Sequence, residues 1–253
     1  MRIFVTNDDG VRAEGIEALA TELEALGEVT VVAPLAEASG IGHGLTLTRP
    51  LRIEQLAERV YCVDGTPTDC VNLGLTHVLR TRPHLIISGI NKGYNIGDDV
   101  TYSGTVAGAL EGALLGIPAL AISLERSEEG FDFSQAAAAA VLLASQVLER
   151  GLPPRTLLNV NVPSRPARGL RVTVQGQRRY MPSVRESVDP RERKYYWIEE
   201  GCCEWVPDER SDYQAVRDGW ISVTPVHVDW TNHAALRAVD FVEGLTLRNH
   251  AEV

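Results

Sequence analysis

The sequence predicts an α/β fold with a Rossmann-like, mostly parallel sheet and helices on both of its faces. Short apolar runs alternate with segments of helical spacing up to about residue 165 of the 253 residues, and this βαβα order is typical of a parallel sheet covered by helices. The apolar runs are continuous, as expected for strands that are buried on both faces. A chain of this length can bury roughly three quarters of its unfolded surface, which is enough for one large domain.

The first strand is predicted at residues 3–6, where an apolar run ends in Asn7 and the turn residue Gly10. The helix that follows, residues 14–26, places Ile16, Leu19 and Leu23 on one face. The later elements follow the same two patterns. The other core strands are predicted at 29–33, 85–88, 119–124 and 157–162, and the other helices at 70–79, 105–115 and 134–149.

The composition changes after residue 165. Residues 166–219 mix arginines, aromatic residues, prolines and acids with weak alternation, which indicates a β-rich arm whose aromatic side chains need a partner surface. Residues 220–253 are predicted to hold a final strand at 221–224 and a C-terminal tail helix at 232–245. We therefore expect a single domain, 1–253, with a core at 1–165 and an arm and a tail that serve in oligomerisation.

Charge and composition exclude several classes of function. The chain has 34 acidic and 24 basic residues, a net charge of -10, which argues against a nucleic-acid polymer as partner. No run of about 18 apolar residues predicts a membrane span, and no signal peptide is recognised. The four cysteines lack zinc-site spacing. We expect a cytoplasmic protein that does not associate with a membrane.

Two adjacent carboxylates, Asp8 and Asp9, follow the first strand. The carboxyl ends of parallel strands are where open α/β sheets bind ligands. Two like charges about 4 Å apart repel by roughly 4 kcal/mol at an effective dielectric constant near 20, and a divalent cation with oxygen ligands would relieve that repulsion. The alternative is a turn in which one aspartate caps the helix and the other faces water.

A second polar stretch follows the strand at 85–88. It is rich in glycine and asparagine and leads into Tyr102, Ser103, Gly104 and Thr105 at the start of a helix. Free amides, hydroxyls and the positive end of the helix dipole suit a phosphate group. The alternative is an ordinary helix cap at Ser103 or Thr101.

Other segments allow two interpretations each. The segment 65–69 is either a substrate loop or a helix start with Pro67 in its first turn. His43, in the glycine-rich loop, either touches substrate or is a neutral surface histidine. The glycines at 40, 42 and 44 lack the spacing of a dinucleotide-binding fingerprint.

Taken together, the separated motifs of this chain resemble the SurE family of survival-protein nucleotidases. The resemblance covers nearly the whole chain, and several motifs in the same order are far more specific than one. The matching motifs are Asn7-Asp8-Asp9-Gly10, Ser39-Gly40, Gly65-Thr66-Pro67-Thr68-Asp69-Cys70, Ser88-Gly89-Ile90-Asn91, Tyr102-Ser103-Gly104-Thr105-Val106, Asn159-Val160-Asn161-Val162-Pro163 and Ser222-Val223-Thr224-Pro225.

The resemblance implies a metal-dependent phosphatase that hydrolyses nucleoside 5'-monophosphates, and also 3'-monophosphates and short polyphosphate. It implies one divalent metal ion per subunit, Mg²⁺ or Mn²⁺, and a homodimer or homotetramer formed through the arm and tail. The implied metal ligands are Asp8, Asp9, Ser39 and Asn91, and the implied phosphate contacts are Asn95, Ser103, Gly104 and Thr105. Within this set we assign catalytic roles to Asp8, which would help the attacking water, and to Asn95, which would stabilise phosphate charge.

Two alternatives belong to other classes. A phosphatase with an aspartyl nucleophile needs two carboxylates separated by one residue, whereas Asp8 and Asp9 are adjacent. A non-enzymatic nucleotide-binding module of a stress response is compatible with the same fold, because fold does not imply function. Metal-dependent phosphate release distinguishes this module from the enzyme.

Overall fold

The computed structural model describes residues 1–181, 183–199 and 203–245. Within these residues the strands are β1 Arg2–Thr6, β2 Glu28–Pro34, β3 Ile53–Ala57, β4 Val60–Val63, β5 Leu85–Lys92, β6 Ala119–Leu124, β7 Thr156–Val162, β8 Leu170–Val172, β9 Arg178–Tyr180, β10 Ser183–Val188, β11 Lys194–Glu199, β12 Cys203–Trp205 and β13 Ile221–His227. The α-helices are α1 Glu14–Leu23, α2 Pro67–Leu73, α3 Gly104–Leu114, α4 Ser134–Arg150 and α5 Asp212–Arg217.

A nine-stranded sheet with the order β3-β4-β2-β1-β5-β6-β7-β13-β8 forms the centre of the molecule. Its six central strands, from β4 to β7, all run parallel to one another. Strand β3 is antiparallel to β4, and β13 is antiparallel to β7. The predicted α/β fold with a mostly parallel sheet is therefore confirmed.

The helices cover both faces of this sheet. Alternate residues of β1 point to opposite sides: Ile3 and Val5 belong to the core under α1 and α4, and Phe4 to the core under α2 and α3. All three side chains are almost completely buried. No helix in the described part of the chain is long and apolar enough to cross a membrane.

Helix α3 lies very close to the sheet because its inner positions are glycine and alanine. A Cβ atom at Gly108 would lie 2.8 Å from Cγ2 of Thr6, and one at Gly112 would lie 2.8 Å from Cδ1 of Ile86. No larger side chain fits at either position without displacing the sheet. This close contact brings the first turn of α3 next to the carboxyl end of β1.

The structure adds elements that the sequence patterns did not predict. The β3–β4 hairpin is short, and its outer strand, β3, is largely exposed, so it lacks the apolar run of a central strand. The six-residue helix α5 lies within the predicted arm. The helix predicted at 70–79 begins earlier, at Pro67, and its last turn, Gly74–Val78, is a π-helix.

The segment predicted as an arm contains an exposed antiparallel hairpin, β10–β11. Apolar side chains stand out from it into solvent: Val184, Tyr196 and Trp197 are each nearly 60% exposed, and Ile198 is 89% exposed. Strand β9 precedes the hairpin in the chain and β12 follows it, and these two strands form a second antiparallel pair. Large apolar side chains exposed together in this way are characteristic of an interaction surface.

The tail differs from the predicted helix at 232–245. Two short 3₁₀-helices, His233–Ala238 and Asp240–Gly244, occupy this segment, and neither buries a residue. Most of the stability of a helix in a protein comes from packing its apolar face, and within this chain Phe241 and Leu245 remain 66% and 71% exposed. The apolar periodicity is real, but the described chain supplies no surface to pack it. Residues 246–253 lie outside the described residues.

Candidate active site

A polar cavity of about 640 Å³ opens where the carboxyl ends of β1, β5 and β6 face the first turn of α3. The residues that line it come from five separate loops and strand ends. They are Asp8, Asp9, Glu37, Ser39, Gly40, Asn91, Lys92, Gly93, Tyr94, Asn95, Asp99, Tyr102, Ser103, Arg126 and Phe131. All four predicted metal ligands therefore lie on one cavity, together with two of the four predicted phosphate contacts.

Asp8 is the most buried carboxylate on this cavity, with 4% of its surface exposed. Its Oδ1 accepts a hydrogen bond from the hydroxyl of Thr105. Burial raises the pKa of Asp8 from 3.8 to about 6, the Thr105 hydrogen bond opposes this shift, and the charge of Asp9 adds to it. A buried carboxylate with a like charge beside it is electrostatically suited to a cation.

The turn that carries these aspartates is closed by Asn7. Its side-chain amide donates to the carbonyl of Gly10 at 2.9 Å, and its Oδ1 accepts the amide of Gly10 at 3.2 Å. The carbonyl of Asp8 accepts the amide of Ala38 at 2.8 Å. This last bond fixes the loop after β2, and with it Ser39, beside the carboxyl end of β1.

The other predicted ligands are held by short-range contacts. Asp9, half-buried, accepts the backbone amide of Lys92 at 3.2 Å, and burial raises its pKa although this bond lowers it. The side-chain amide nitrogen of Asn91 donates to the carbonyl of Gly93 at 2.9 Å. This bond leaves Oδ1 of Asn91 available as a metal ligand. The hydroxyl of Ser39 donates to Glu37 at 2.7 Å, and its oxygen can still act as a ligand.

The donor chemistry fits a hard divalent cation. The described residues that line the cavity include no histidine or cysteine, so the ligands they offer are oxygen atoms. Two carboxylates with neutral hydroxyl and amide oxygens form the oxygen-only set that Mg²⁺ and Mn²⁺ prefer. The two negative charges at Asp8 and Asp9 match the charge of one such ion.

The first turn of α3 lies directly beside Asp8, at the edge of the same cavity. Ser103 is the N-cap, because its Oγ accepts the amide of Val106 at 3.0 Å, and its side chain also lines the cavity. Ser103 therefore caps α3 and lines the cavity at the same time. Gly104 and Thr105 are not part of the cavity lining: both are buried and lie against Asp8.

Asn95 is held by residues of a distant strand. Its amide nitrogen donates to Oδ1 of Asn161 at 2.8 Å, and its carbonyl accepts from the side chains of Asn159 and Asn161 at 2.7 and 3.0 Å. Its own side-chain amide donates to Ser123 at 2.8 Å. The sequence patterns did not predict that Asn159 and Asn161 hold Asn95. The sequence signal for this role is a pair of asparagines, two residues apart, on one face of the otherwise apolar strand β7.

The motif at residues 65–69 is a helix start rather than a substrate loop. Thr66 and Asp69 form a capping box at the start of α2. The Thr66 hydroxyl also donates to the carbonyl of Gly44 at 2.7 Å, and Oδ1 of Asp69 accepts the amide of Thr46 at 2.9 Å. The motif thus anchors the glycine-rich loop that begins at Ser39.

His43 does not line the main cavity. Its Nε2 lies 2.7 Å from Oε2 of Glu111, whose other oxygen accepts from Asn72 at 2.8 Å. Burial works to raise the pKa of Glu111, but the hydrogen bonds from His43 and Asn72 lower it below its usual value. His43 lies on a separate, smaller cavity of about 220 Å³, and it joins the glycine-rich loop to α3.

The base of the arm is bonded to the wall of the main cavity. Asp212, fully buried, accepts the backbone amides of Gly97 and Gly176 at 2.9 Å each. Burial raises the pKa of Asp212, although these amides lower it. Arg178, at the start of β9, pairs with Asp99 on the cavity wall. The position of the arm is therefore coupled to the loop before α3.

Comparison with known proteins agrees with these features. Residues 3–182 match the family described as Survival protein SurE. The chain is 53% identical over 242 residues to 5'-nucleotidase SurE of Pelobacter propionicus, with 94% of this chain and 98% of that protein covered. It is 52% identical over 249 residues to 5'-nucleotidase SurE of Geobacter metallireducens, with 96% and 99% covered.

A solved structure extends the likeness to three dimensions. The crystal structure of the SurE protein from Aquifex aeolicus aligns with a TM-score of 0.85 and 42% sequence identity, and the alignment covers 96% of this chain and 100% of that one. The likeness therefore extends beyond the core, residues 1–165, to most of the chain. From its sequence, its fold and the arrangement of its cavity, this chain belongs to the SurE family.

Proposed function

We propose that this chain is a phosphoric monoester hydrolase that converts nucleoside 5'-monophosphates, and also 3'-monophosphates, to nucleoside and phosphate. The observation that carries the proposal is that Asp8 and Asp9, at the end of β1, share one cavity with Ser103 at the N-terminus of α3. Relatives that bear the name 5'-nucleotidase and match nearly the full chain support it. A pure binding module does not need an acidic pair facing a phosphate-binding helix end.

We propose that Asp8, Asp9, Ser39 and Asn91 hold one divalent ion, Mg²⁺ or Mn²⁺. When bound, such an ion polarises a phosphate oxygen and lowers the pKa of a coordinated water. The support is the shared cavity, the oxygen-only donor set and the burial of Asp8.

The roles of the chain's own residues follow from their hydrogen bonds. Ser103 Oγ accepts from Val106, so its hydroxyl proton is directed elsewhere and can be donated to a phosphate oxygen. One N–H of the Asn95 side chain is used by Ser123, and the second can bind another phosphate oxygen. Both donors are held before substrate arrives, which is how preorganised groups stabilise charge in a transition state.

Asp8 would help the attacking water as a ligand of the same ion. The Thr105 hydroxyl occupies Oδ1, so Oδ2 is the oxygen that would coordinate the ion.

The positioning of Asn95 leads to a first prediction. Replacing Asn161 with alanine removes two hydrogen bonds to the backbone of Asn95 and should lower kcat by about tenfold to a hundredfold, because small displacements of a positioning group have effects of that size. Asn159→Ala, which removes one bond and leaves Asn161 in place, should have a smaller effect. Steady-state kinetics with metal titration measures both, and a wild-type kcat in Asn161→Ala would contradict the assigned role.

The decisive experiment is phosphate release from a panel of nucleoside 5'- and 3'-monophosphates with Mg²⁺, with Mn²⁺ and with a chelator. We expect release that requires metal and is lost in Asp8→Asn. If folded protein releases no phosphate with either metal, the chain is a nucleotide-binding module instead, and the enzymatic proposal is wrong.

We further propose that the chain assembles as a homodimer or homotetramer through its arm and tail. The support is the apolar surface of the β10–β11 hairpin and the unpacked Phe241 and Leu245 of the tail. Sedimentation equilibrium measures the assembly, and a monomer at micromolar concentration would contradict the proposal.

A further inference from the structure

We propose that the loop between β6 and α4 forms the nucleoside subsite of this cavity, with the ring of Phe131 as the stacking surface for the base and Arg126 as the cation at its edge. The inference rests on the proposed function and names the part of the substrate that this wall of the cavity binds. Phe131 and Arg126 line the same cavity as Asp8, Asn95 and Ser103. A ligand whose phosphate lies at the first turn of α3 can therefore extend along this wall.

Phe131 is held in a fixed orientation. Its ring is stacked on Phe133, with centroids 5.9 Å apart and planes 13° from parallel, and Phe133 is buried in the core. Phe131 itself is only partly buried, so part of its ring faces the cavity. Among the aromatic side chains that line this cavity, Phe131 is the one that stacks on another ring of the described residues.

Lys92 connects this ring to the acidic pair. Its backbone amide donates to Asp9 at 3.2 Å, and its Nζ lies over the Phe131 ring, 5.9 Å from the centroid. A base that stacks on this face of the ring displaces the Lys92 ammonium.

Arg126 is available for a ligand. It is exposed and makes no hydrogen bond or ion pair with any residue that the structure describes. Its neighbours are anchored: Glu125 accepts from the amide and hydroxyl of Ser164 at 2.9 Å each, and Ser127 bonds to the carbonyl of Gly130. A planar guanidinium that lines the same cavity as an aromatic ring can stack on a base and donate to its acceptors.

The charges on the cavity agree with this assignment. Lys92 and Arg126 are the cationic side chains among the described residues that line it. Lys92 lies over the Phe131 ring and pairs with Glu14 at 3.4 Å, so Arg126 is the cation left for a ligand. Stacking recognises the face of a base and not its hydrogen-bonding edge. We therefore infer a subsite that accepts any nucleobase, that favours purines because they present a larger stacking surface, and that distinguishes nucleotides from sugar phosphates.

The test compares AMP with ribose 5-phosphate, which has the same phosphate and sugar but no base. In Phe131→Leu the ratio of kcat/KM for AMP to that for ribose 5-phosphate should fall by about tenfold, mainly through KM, since stacking on one aromatic side chain has an effect of this size. Arg126→Gln should lower the same ratio several-fold. Tyr102→Leu, which removes an exposed ring from the same cavity, should keep the ratio of the wild type.

Two outcomes would overturn the inference: equal losses for both substrates in Phe131→Leu, or a selective loss for AMP in Tyr102→Leu alone. If the wild type hydrolyses neither substrate, the proposed function is wrong, and calorimetric binding of adenosine then tests the subsite by itself. Weaker adenosine binding in Phe131→Leu than in the wild type would support the subsite, whereas equal or undetectable binding in both proteins would overturn it.

Discussion

Replacing Asp8 with asparagine should abolish metal-dependent turnover and, in the absence of metal, make the protein more stable. Turnover should fall by about a thousandfold or more, because the metal contributes several kcal/mol of transition-state stabilisation. The gain in stability has a separate cause: asparagine has nearly the same shape but removes a buried charge that lies next to Asp9. Thermal unfolding with a chelator, with Mn²⁺ and without additions measures both effects.

The sign of the pH dependence follows from the raised pKa of Asp8. Between its usual value of 3.8 and the folded value of about 6, the folded protein binds more protons at Asp8 than the unfolded chain does. The free energy of unfolding of the metal-free protein therefore falls as the pH rises through this range. Above pH 6 the buried Asp8 is charged, and the full cost of that charge lowers the free energy of unfolding. A pKa difference of about two units corresponds to about 3 kcal/mol. The stability difference between Asp8→Asn and wild type should grow from pH 4 to pH 7.

Asp9→Asn is the matched control for this prediction. Asp9 is adjacent to Asp8 but more exposed, and it accepts the amide of Lys92. We expect this variant to lose turnover as well, but to gain less stability. Wild-type turnover in Asp8→Asn would contradict the metal assignment, and a metal-free Asp8→Asn no more stable than wild type at pH 7 would contradict the electrostatic argument.

Gly104→Ala should lower kcat/KM by at least about a hundredfold while the fold is retained. A Cβ atom at this position would lie 2.7 Å from Cβ and 2.9 Å from Oδ2 of Asp8, closer than such atoms can approach. Asp8 cannot yield easily, because the Thr105 hydroxyl holds its other oxygen. The aspartate must then shift, and displacements of about 1 Å at a reacting centre have effects of this size.

Gly108→Ala provides the control, since it is the same substitution one turn later in α3. Its Cβ atom would meet Thr6 at 2.8 Å and Ser88 at 2.9 Å, so the clash is against the sheet and away from the cavity. We expect a lower melting temperature, with kcat affected far less than in Gly104→Ala. Equal losses of kcat in the two variants would show that the effect of Gly104→Ala is a general consequence of overpacking.

Much of the core was predictable because its strands and helices carry their own signals. The apolar runs that became β1, β2, β6 and β7 are buried on both faces, and continuous apolar sequence is the pattern that such strands require. The β3–β4 hairpin was missed because β3 lies at the edge of the sheet and is mostly exposed, so no apolar pattern marks it. The predicted tail helix failed for the opposite reason, since its apolar pattern finds no packing surface in the described chain.

The sequence by itself determined the residues whose geometry is local. Asp8 and Asp9 form a pair because they are adjacent in the chain. Ser103 caps α3 because its hydroxyl accepts the free amide of Val106, three residues later. Only the tertiary structure decided that Asn161 holds Asn95, that His43 pairs with Glu111, and that Phe131 and Arg126 share a cavity with the acidic pair. These contacts join distant parts of the chain. Those at the main cavity exist because the order of the parallel strands brings their carboxyl ends to one edge of the sheet.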